Sequence, residues 1–445
     1  MMANGVRVAV ALTLLLVAST IVYPVAAVPS FARELGVPCA TCHSSFPQLN
    51  AFGRQFKLNG YVLGPAANNA TKGQDSDGRS TLSLDSFPPL SVMLETAVTA
   101  LNTSVPDTQN NNVELPQQAS LFFAGRIGPQ IGSFVQLTYS QADGQIALDS
   151  AEIRYANSAM LHGKAVTYGA FVNNNPTLED LWNTTPAWRF PWVGPSVAPE
   201  PAAAPLIDGA LAQDVMGGGG FASFQGKFYV ASGLYRSAHV GHSSPTADSA
   251  NTIDNVALYW RLAWQRTLGK NYVEFGTYGL HTRLHPLGIT GATDNYVDYS
   301  LDSQLERAVG AHTFIAHGSY TRENQDLNAS VAADLAERPS HRLGTLRLDA
   351  GIQSAKLGYM LGVARTTGDT DALRFAPEAT TGSATGKPDT AVLIGEVIYS
   401  PLQNIQLRLQ YQRYARFNGA TTNYDGFGRN ATDNDTLMVH AWFAW

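Results

Sequence analysis

The chain has 445 residues, with only 14% charged side chains, 10% aromatic side chains and 40 glycines. A typical soluble domain has about 25% charged residues, so this composition argues against a soluble multidomain enzyme. The net charge of −6 provides no basic surface and excludes nucleic acid as an expected partner. Two cysteines in the whole chain exclude a disulfide-rich scaffold.

The N-terminus has the pattern of a cleaved export signal. Arg7 precedes an apolar run over residues 8–22, and residues 25–27 (Val-Ala-Ala) are small enough for cleavage. This order of charged, apolar and small residues defines a signal peptide. A membrane helix needs about 20 apolar residues, and Pro24 ends the run too early. We therefore expect residues 1–27 to be removed on export.

Both cysteines fall in one short motif, Cys-Ala-Thr-Cys-His, which contains Cys39, Cys42 and His43. Two thiols at this spacing can add to the vinyl groups of haem, and the adjacent histidine can bind the iron, so the motif indicates covalent haem c. A redox dithiol is one alternative, but it needs neighbouring βαβ elements, and the sequence around the motif shows no such pattern. A zinc site needs two further ligands nearby, and the next histidine is His162. We expect residues 28–87 to form a small helical c-type cytochrome domain.

Residues 46–58 have a helical pattern that could cover the haem. Leu49, Phe52 and Phe56 recur at the spacing of one helix face. Arg54 and Lys57 are candidate partners for the haem propionates, with ordinary solvated charges as the alternative.

Residues 88–445 predict an all-β structure. Leu258, Trp260 and Leu262 alternate with Tyr259 and Arg261, and a period of two indicates strands with one apolar and one polar face. Seven short connections alternate with eight outer ones, which gives about sixteen strands. The short ones lie near 128–132, 158–164, 225–227, 267–270, 308–311, 351–355 and 400–403, and the outer ones near 103–115, 142–144, 174–216, 237–251, 282–293, 324–338, 367–388 and 417–432. This sorting is typical of bacterial outer-membrane β-barrels.

Two further features fit a barrel. The last strand places Leu437, Val439, Ala441 and Phe443 on one face and ends at Trp445, which resembles the C-terminal signal of outer-membrane proteins. The connection over residues 174–216 is long and rich in tryptophan, so we expect it to fold into or over the pore rather than to be disordered. We expect the small haem domain to plug the lumen of this barrel.

The small domain cannot supply the usual sixth iron ligand by itself, so the site is open, an unusual ligand serves, or the ligand comes from the rest of the chain. From Val28 to Val92, His43 is the only histidine or methionine. In the first strand Glu95 is disfavoured against lipid, so Met93, which shares its face, points into the lumen. We predict Met93 as the sixth ligand, with His440 on the last strand as the second choice. Ordinary lumen packing of Met93 is the alternative.

The N-terminal motifs resemble a known family. Residues 29–33, 39–43 and 46–57, with Gly60-Tyr61, are similar to the fused monohaem cytochrome–porins of the outer membrane of iron-oxidising bacteria. Residues 175–176 and 180–186 resemble the start of the long loop of that family. The resemblance implies an iron:cytochrome oxidoreductase activity, in which extracellular Fe(II) supplies electrons and a periplasmic c-type cytochrome receives them.

Two other functions stay open at this point. The first is a substrate-specific porin whose haem domain gates or senses. The second is a conduit that carries electrons outward, although such conduits more often use many haems and this chain has one attachment motif.

Overall fold

The computed structural model describes residues 30–63, 73–74, 80–81, 90–106, 108–141, 144–238, 252–288 and 290–445. The expected signal peptide, residues 1–27, lies outside the described residues. No helix within the described ranges is long and apolar enough to cross a membrane.

The N-terminal segment, residues 30–63, contains two short helices around the cysteine motif. Helix α1 is Ser30–Leu35 and helix α2 is Ala51–Leu58. Between them lie a 3₁₀ turn over Cys39–Thr41 and two paired strands, His43–Ser45 and Gln48–Leu49. Helix α2 begins after Asn50, whose side chain accepts the backbone N–H groups of Phe52 and Gly53 at 3.0 and 3.1 Å, as an N-cap residue does.

Sixteen long strands form the rest of the fold. In chain order they are β1 Leu90–Leu101, β2 Asn112–Gly128, β3 Ile131–Ser140, β4 Gln145–Leu161, β5 Lys164–Asn173, β6 Val215–Phe224, β7 Phe228–Ser237, β8 Ala257–Leu268, β9 Asn271–His285, β10 Asp294–Val309, β11 His312–Asp326, β12 Ser340–Gln353, β13 Leu357–Gly368, β14 Thr390–Leu402, β15 Ile405–Arg416 and β16 Thr436–Ala444. Each pairs antiparallel with its neighbours in sequence, and β16 pairs with β1 to close the barrel. A two-residue strand, Thr252–Ile253, also pairs with β9. The short helix α3, Asn328–Ala332, lies between β11 and β12.

The expected sixteen-stranded barrel and its sorted connections are therefore confirmed. Short turns follow the even-numbered strands through β14, and the longer connections follow the odd-numbered strands. The expectations for residues 142–143 and for most of the connection at 237–251 lie outside the described residues. Because every strand has two neighbours, the closed sheet has no free edge.

The two faces of the barrel have opposite chemistry. On β7, Phe228, Val230 and Leu234 are exposed, whereas Tyr229, Ala231 and Tyr235 at the alternate positions are buried. Fully buried charged side chains face the lumen, and these include Glu152, Arg154, Arg261, Glu274 and Asp302. Soluble proteins show the reverse arrangement, and an apolar exterior with a polar interior is suited to a lipid bilayer.

The connection between β5 and β6, residues 174–214, folds into the lumen, and we call it the inner loop. Leu178, Leu181 and Trp182 are almost fully buried and belong to the inner loop. The sequence-based expectation that this segment folds into the pore is confirmed.

Candidate functional site

A cavity of about 490 Å³ lies where the N-terminal segment, the inner loop and the barrel wall meet. Cys39, Cys42 and His43 line it from the N-terminal segment, and Met93 and His440 line it from the wall. Residues far apart in sequence, including both candidate sixth ligands, thus converge on one space. Its volume falls in the range of small-molecule and cofactor pockets.

The motif residues are held in defined positions. The Cys42 N–H donates to the Cys39 carbonyl at 3.0 Å, and the Asn50 N–H donates to the Cys42 carbonyl at 2.9 Å. Helix α2 packs closely on this turn because Gly53 has no side chain: a Cβ there would lie 2.2 Å from the Cys42 carbonyl oxygen. Burial raises the pKa of Cys42 to about 11, and the neighbouring Cys39 thiol contributes.

His43 has the hydrogen bond expected of an oriented metal ligand. Its Nδ1 lies 3.1 Å from the Pro47 carbonyl oxygen, so Nδ1 carries the proton and donates it. Burial lowers the pKa of His43 to about 4, which keeps the ring neutral at pH 7. Ligating histidines commonly donate their other ring N–H to a carbonyl, and here Nε2 keeps its lone pair.

The helical face predicted to cover a porphyrin is only partly realised. Leu49 and Phe56 line the cavity, but Phe52 does not and is exposed. The reason is that Leu49 lies in a short strand before the helix, so the three residues do not share one helix face.

The two basic residues of α2 differ in position. Lys57 lines the cavity, where its Nζ donates to the Leu178 carbonyl at 2.6 Å and lies 4.5 Å from the centre of the Trp188 ring. Burial lowers its pKa to about 8. Arg54 is not among the lining residues and pairs with Glu306 on the wall.

The two candidate sixth ligands, His440 and Met93, make different contacts. His440 Nε2 lies 3.0 Å from a Glu95 carboxylate oxygen, whereas its Nδ1 is buried and has no hydrogen-bond partner among the described residues. Met93 is buried and packs with Trp442 and Ala444. Both point inward, as strand alternation predicted, and the register pairs Ala97 with His440 across the closing seam.

The sequence did not predict that residues of the inner loop and of the distant barrel wall line the same cavity as the cysteine motif. The inner loop contributes Trp188 and Trp192 to the cavity, and β15 contributes Arg408. The Arg408 guanidinium donates to the Phe46 carbonyl at 2.7 Å, just beyond the cysteine motif. Alternation along β15 indicated an inward face for Arg408, but no sequence signal linked that face to residues 39–46.

No group of three or more His, Cys, Asp or Glu side chains within the described ranges is arranged to hold a metal ion. A haem iron does not need such a group, because the porphyrin supplies the in-plane ligands and the protein supplies axial ones. Two thiols and an imidazole on one cavity are the groups through which a covalent haem is held.

Comparison with known proteins gives structural similarity only. The chain is similar to OmpF of Salmonella typhi, solved with daunomycin, and to an anion-selective porin from Comamonas acidovorans, each at 12% identity and a TM-score of 0.46. Both similarities cover 80% of this chain, with 97% of the OmpF chain and 98% of the anion-selective porin. It is also similar to a loop-deletion mutant of OmpT from Vibrio cholerae, at 10% identity and a TM-score of 0.44, over 80% of this chain and 98% of that one. No protein-family model and no curated protein matches it. The barrel is defined by its own strand pairing, independently of these similarities.

Proposed function

We propose that this chain is an outer-membrane electron-transfer protein that carries one covalent haem c. In this proposal Cys39 and Cys42 hold the haem, and His43 is an axial ligand of its iron. Extracellular Fe(II) supplies electrons, as the family resemblance implies, and a periplasmic c-type cytochrome receives them. The observation that carries the proposal is that both thiols and His43 line one cavity inside a closed barrel.

The chain's own residues account for binding and orientation. The hydrogen bond from His43 to Pro47 orients the imidazole and would leave Nε2 to bind the iron. Met93 supplies a thioether on the wall, and we propose it as the sixth ligand. When bound, the haem supplies one-electron Fe(III)/Fe(II) chemistry, and His/Met ligation favours a high potential, which suits Fe(II) as donor.

The contacts of the cysteine motif indicate at which end of the barrel the haem would lie. The Cys39 N–H donates to the side chain of Gln403, in a short turn, at 3.1 Å. Short turns face the periplasm in bacterial barrels. A haem on Cys39 would therefore lie towards the periplasmic side, while the inner loop enters from the other end.

The test is reduction of purified, haem-loaded protein by Fe(II). We expect a reduced c-type spectrum after Fe(II) is added under anaerobic conditions. The comparison variant is His43→Ala, which removes the proposed iron ligand and should not show the reduced spectrum of the wild type when Fe(II) is added. A fully loaded wild type that stays oxidised at excess Fe(II), while dithionite reduces it, would refute Fe(II) as donor.

A second candidate is a porin whose haem segment gates or senses, and the sixteen-stranded closed barrel favours it. That function requires solute flux through the purified barrel in reconstituted vesicles. It also requires that flux change when the haem is reduced by dithionite.

A further inference from the structure

The charged side chains that line the cavity differ in whether a close polar or oppositely charged partner compensates them. Five acidic or basic side chains line it, namely Lys57, Glu95, Asp149, Arg189 and Arg408. Arg189 pairs with Asp208 at 2.8 Å, and Glu95 pairs with His440. Asp149 accepts hydrogen bonds from Thr138 and Gln213 at 3.1 and 3.0 Å.

The two remaining cations have weaker compensation. Within the described residues, Lys57 Nζ has a carbonyl and an aromatic ring as its partners, and no carboxylate lies within ion-pair distance. Arg408 donates to Gln406 and Phe46. Its nearest carboxylate oxygen, on Glu396, is 4.0 Å from Nε, which is too long for a hydrogen bond.

A buried cation without a close counter-ion is costly, and both of these cations are buried and line the same space. A ligand that carries two carboxylates would balance them. Haem has this charge pattern, since its two propionates are carboxylates, and Arg guanidinium binds carboxylates through paired N–H groups.

We propose that Arg408, together with Lys57, binds the haem propionates, and that Arg54 does not. This rests on the proposed haem site. Arg54 is unsuited because its guanidinium pairs with Glu306, off the cavity. Arg408 also ties the wall to the Phe46 carbonyl, so one side chain contacts both the haem-attachment segment and the space its propionates would enter.

The test is the midpoint potential of the haem-loaded protein, measured by spectroscopic titration. A cation beside the propionates favours the ferrous state, because the ferric state carries one more positive charge. Arg408→Gln should therefore shift the one-electron equilibrium about tenfold towards the ferric state, which lowers the midpoint potential by about 59 mV. A shift of this size is on the scale of one charge in a partly buried site. Arg408→Lys keeps the charge and should restore most of the potential.

Two double variants serve as controls for the potential measured in Arg408→Gln. Arg408→Gln/Glu396→Gln removes the guanidinium together with its nearest carboxylate, 4.0 Å away, so it tests whether a shift in Arg408→Gln comes from misfolding around an isolated buried Glu396. The matched control is Arg54→Gln/Glu306→Gln, which removes one cation and one carboxylate off the cavity and should leave the potential unchanged. An unchanged potential in Arg408→Gln, or an equal drop in the Arg54 control, would overturn the assignment while leaving the haem site intact. Wild-type protein without covalent haem would overturn the proposed function itself, and this assignment with it.

Discussion

Each residue of the cysteine motif has a separate structural task. Cys39 begins the 3₁₀ turn, Cys42 closes it, and His43 follows with its Nδ1 directed at a carbonyl. The short separation of the two cysteines therefore places both thiols and one imidazole on the same wall of the cavity.

The first prediction concerns covalent attachment. Cys39→Ala and Cys42→Ala should each abolish stable covalent haem, because each removes one thioether partner. The measurement is haem staining after denaturing electrophoresis, together with acid–acetone extraction. Phe52→Ala is the control, since Phe52 is exposed and off the cavity, and it should retain haem. Release of intact haem from wild type by acid acetone would contradict covalent attachment.

The second prediction concerns the sixth ligand. Met93→Ala should lower the haem potential and remove sulfur-to-iron absorption at the red end of the spectrum, because thioether ligation raises the potential. Met93→Leu, which conserves volume, should have the same effect if ligation rather than packing is responsible. His440→Ala should keep the absorption, because an imidazole supplies no sulfur to the iron. An unchanged spectrum in both Met93 variants would exclude Met93.

At the scale of elements, the inner loop is fixed to the lumen wall by buried polar contacts. Glu179 accepts the hydroxyls of Tyr229 and Tyr259 at 2.5 and 2.9 Å. Asp180 lies 3.0 Å from Arg261.

Contacts on β10 and β11 secure the later part of the same loop. The backbone N–H groups of Leu206 and Ile207 donate to Glu323 and Asp298 at 2.5 and 3.0 Å. Contacts to several strands make the inner loop a fixed partition rather than a mobile lid.

The third prediction is that this partition blocks solute flow. Wild-type protein in a planar bilayer with KCl should show little or no open-channel conductance. Replacing residues 176–208 by a short Gly-Ser linker should produce stable, porin-like openings, because a sixteen-stranded barrel is wide enough for an aqueous channel. A comparable linker in place of residues 329–337, in the connection after β11, is the control and should stay closed. Large conductance in wild type would favour the porin alternative.

At the scale of the whole molecule, closure depends on the C-terminal residues. Phe443 pairs with Leu94 and Ala444 with Met93. The Trp445 N–H donates to the Val92 carbonyl at 3.0 Å, and the Val92 N–H donates to the Trp445 carbonyl at 2.8 Å. These contacts join the end of the chain to the beginning of β1, beside the cavity.

The fourth prediction concerns membrane insertion. Deleting residues 443–445 should reduce the amount of protein in the outer membrane, because the seam then loses several pairings and leaves exposed strand edges. Membrane fractionation and heat-modifiable gel mobility measure the effect. Phe427→Ala, a change at an exposed loop residue, should insert normally. Recovery of wild-type protein as a soluble periplasmic monomer would exclude the membrane assignment.

The sequence by itself determined the strand pattern, the cysteine motif and the inward face of Met93 and His440. Each depends on local periodicity or spacing, and strand alternation divides the two faces without reference to the rest of the fold. Glu95 illustrates this, because its charge alone excluded the lipid face and the structure buries it against His440.

Only the tertiary structure decided which side chains share the cavity. Arg54 and Lys57 are three positions apart on α2, yet Arg54 meets Glu306 and Lys57 enters the cavity. Arg408 reaches the Phe46 carbonyl, just beyond the cysteine motif, across more than 360 residues of chain. Such meetings depend on barrel closure, strand register and the path of the inner loop, and these follow from long-range pairing that no local spacing encodes.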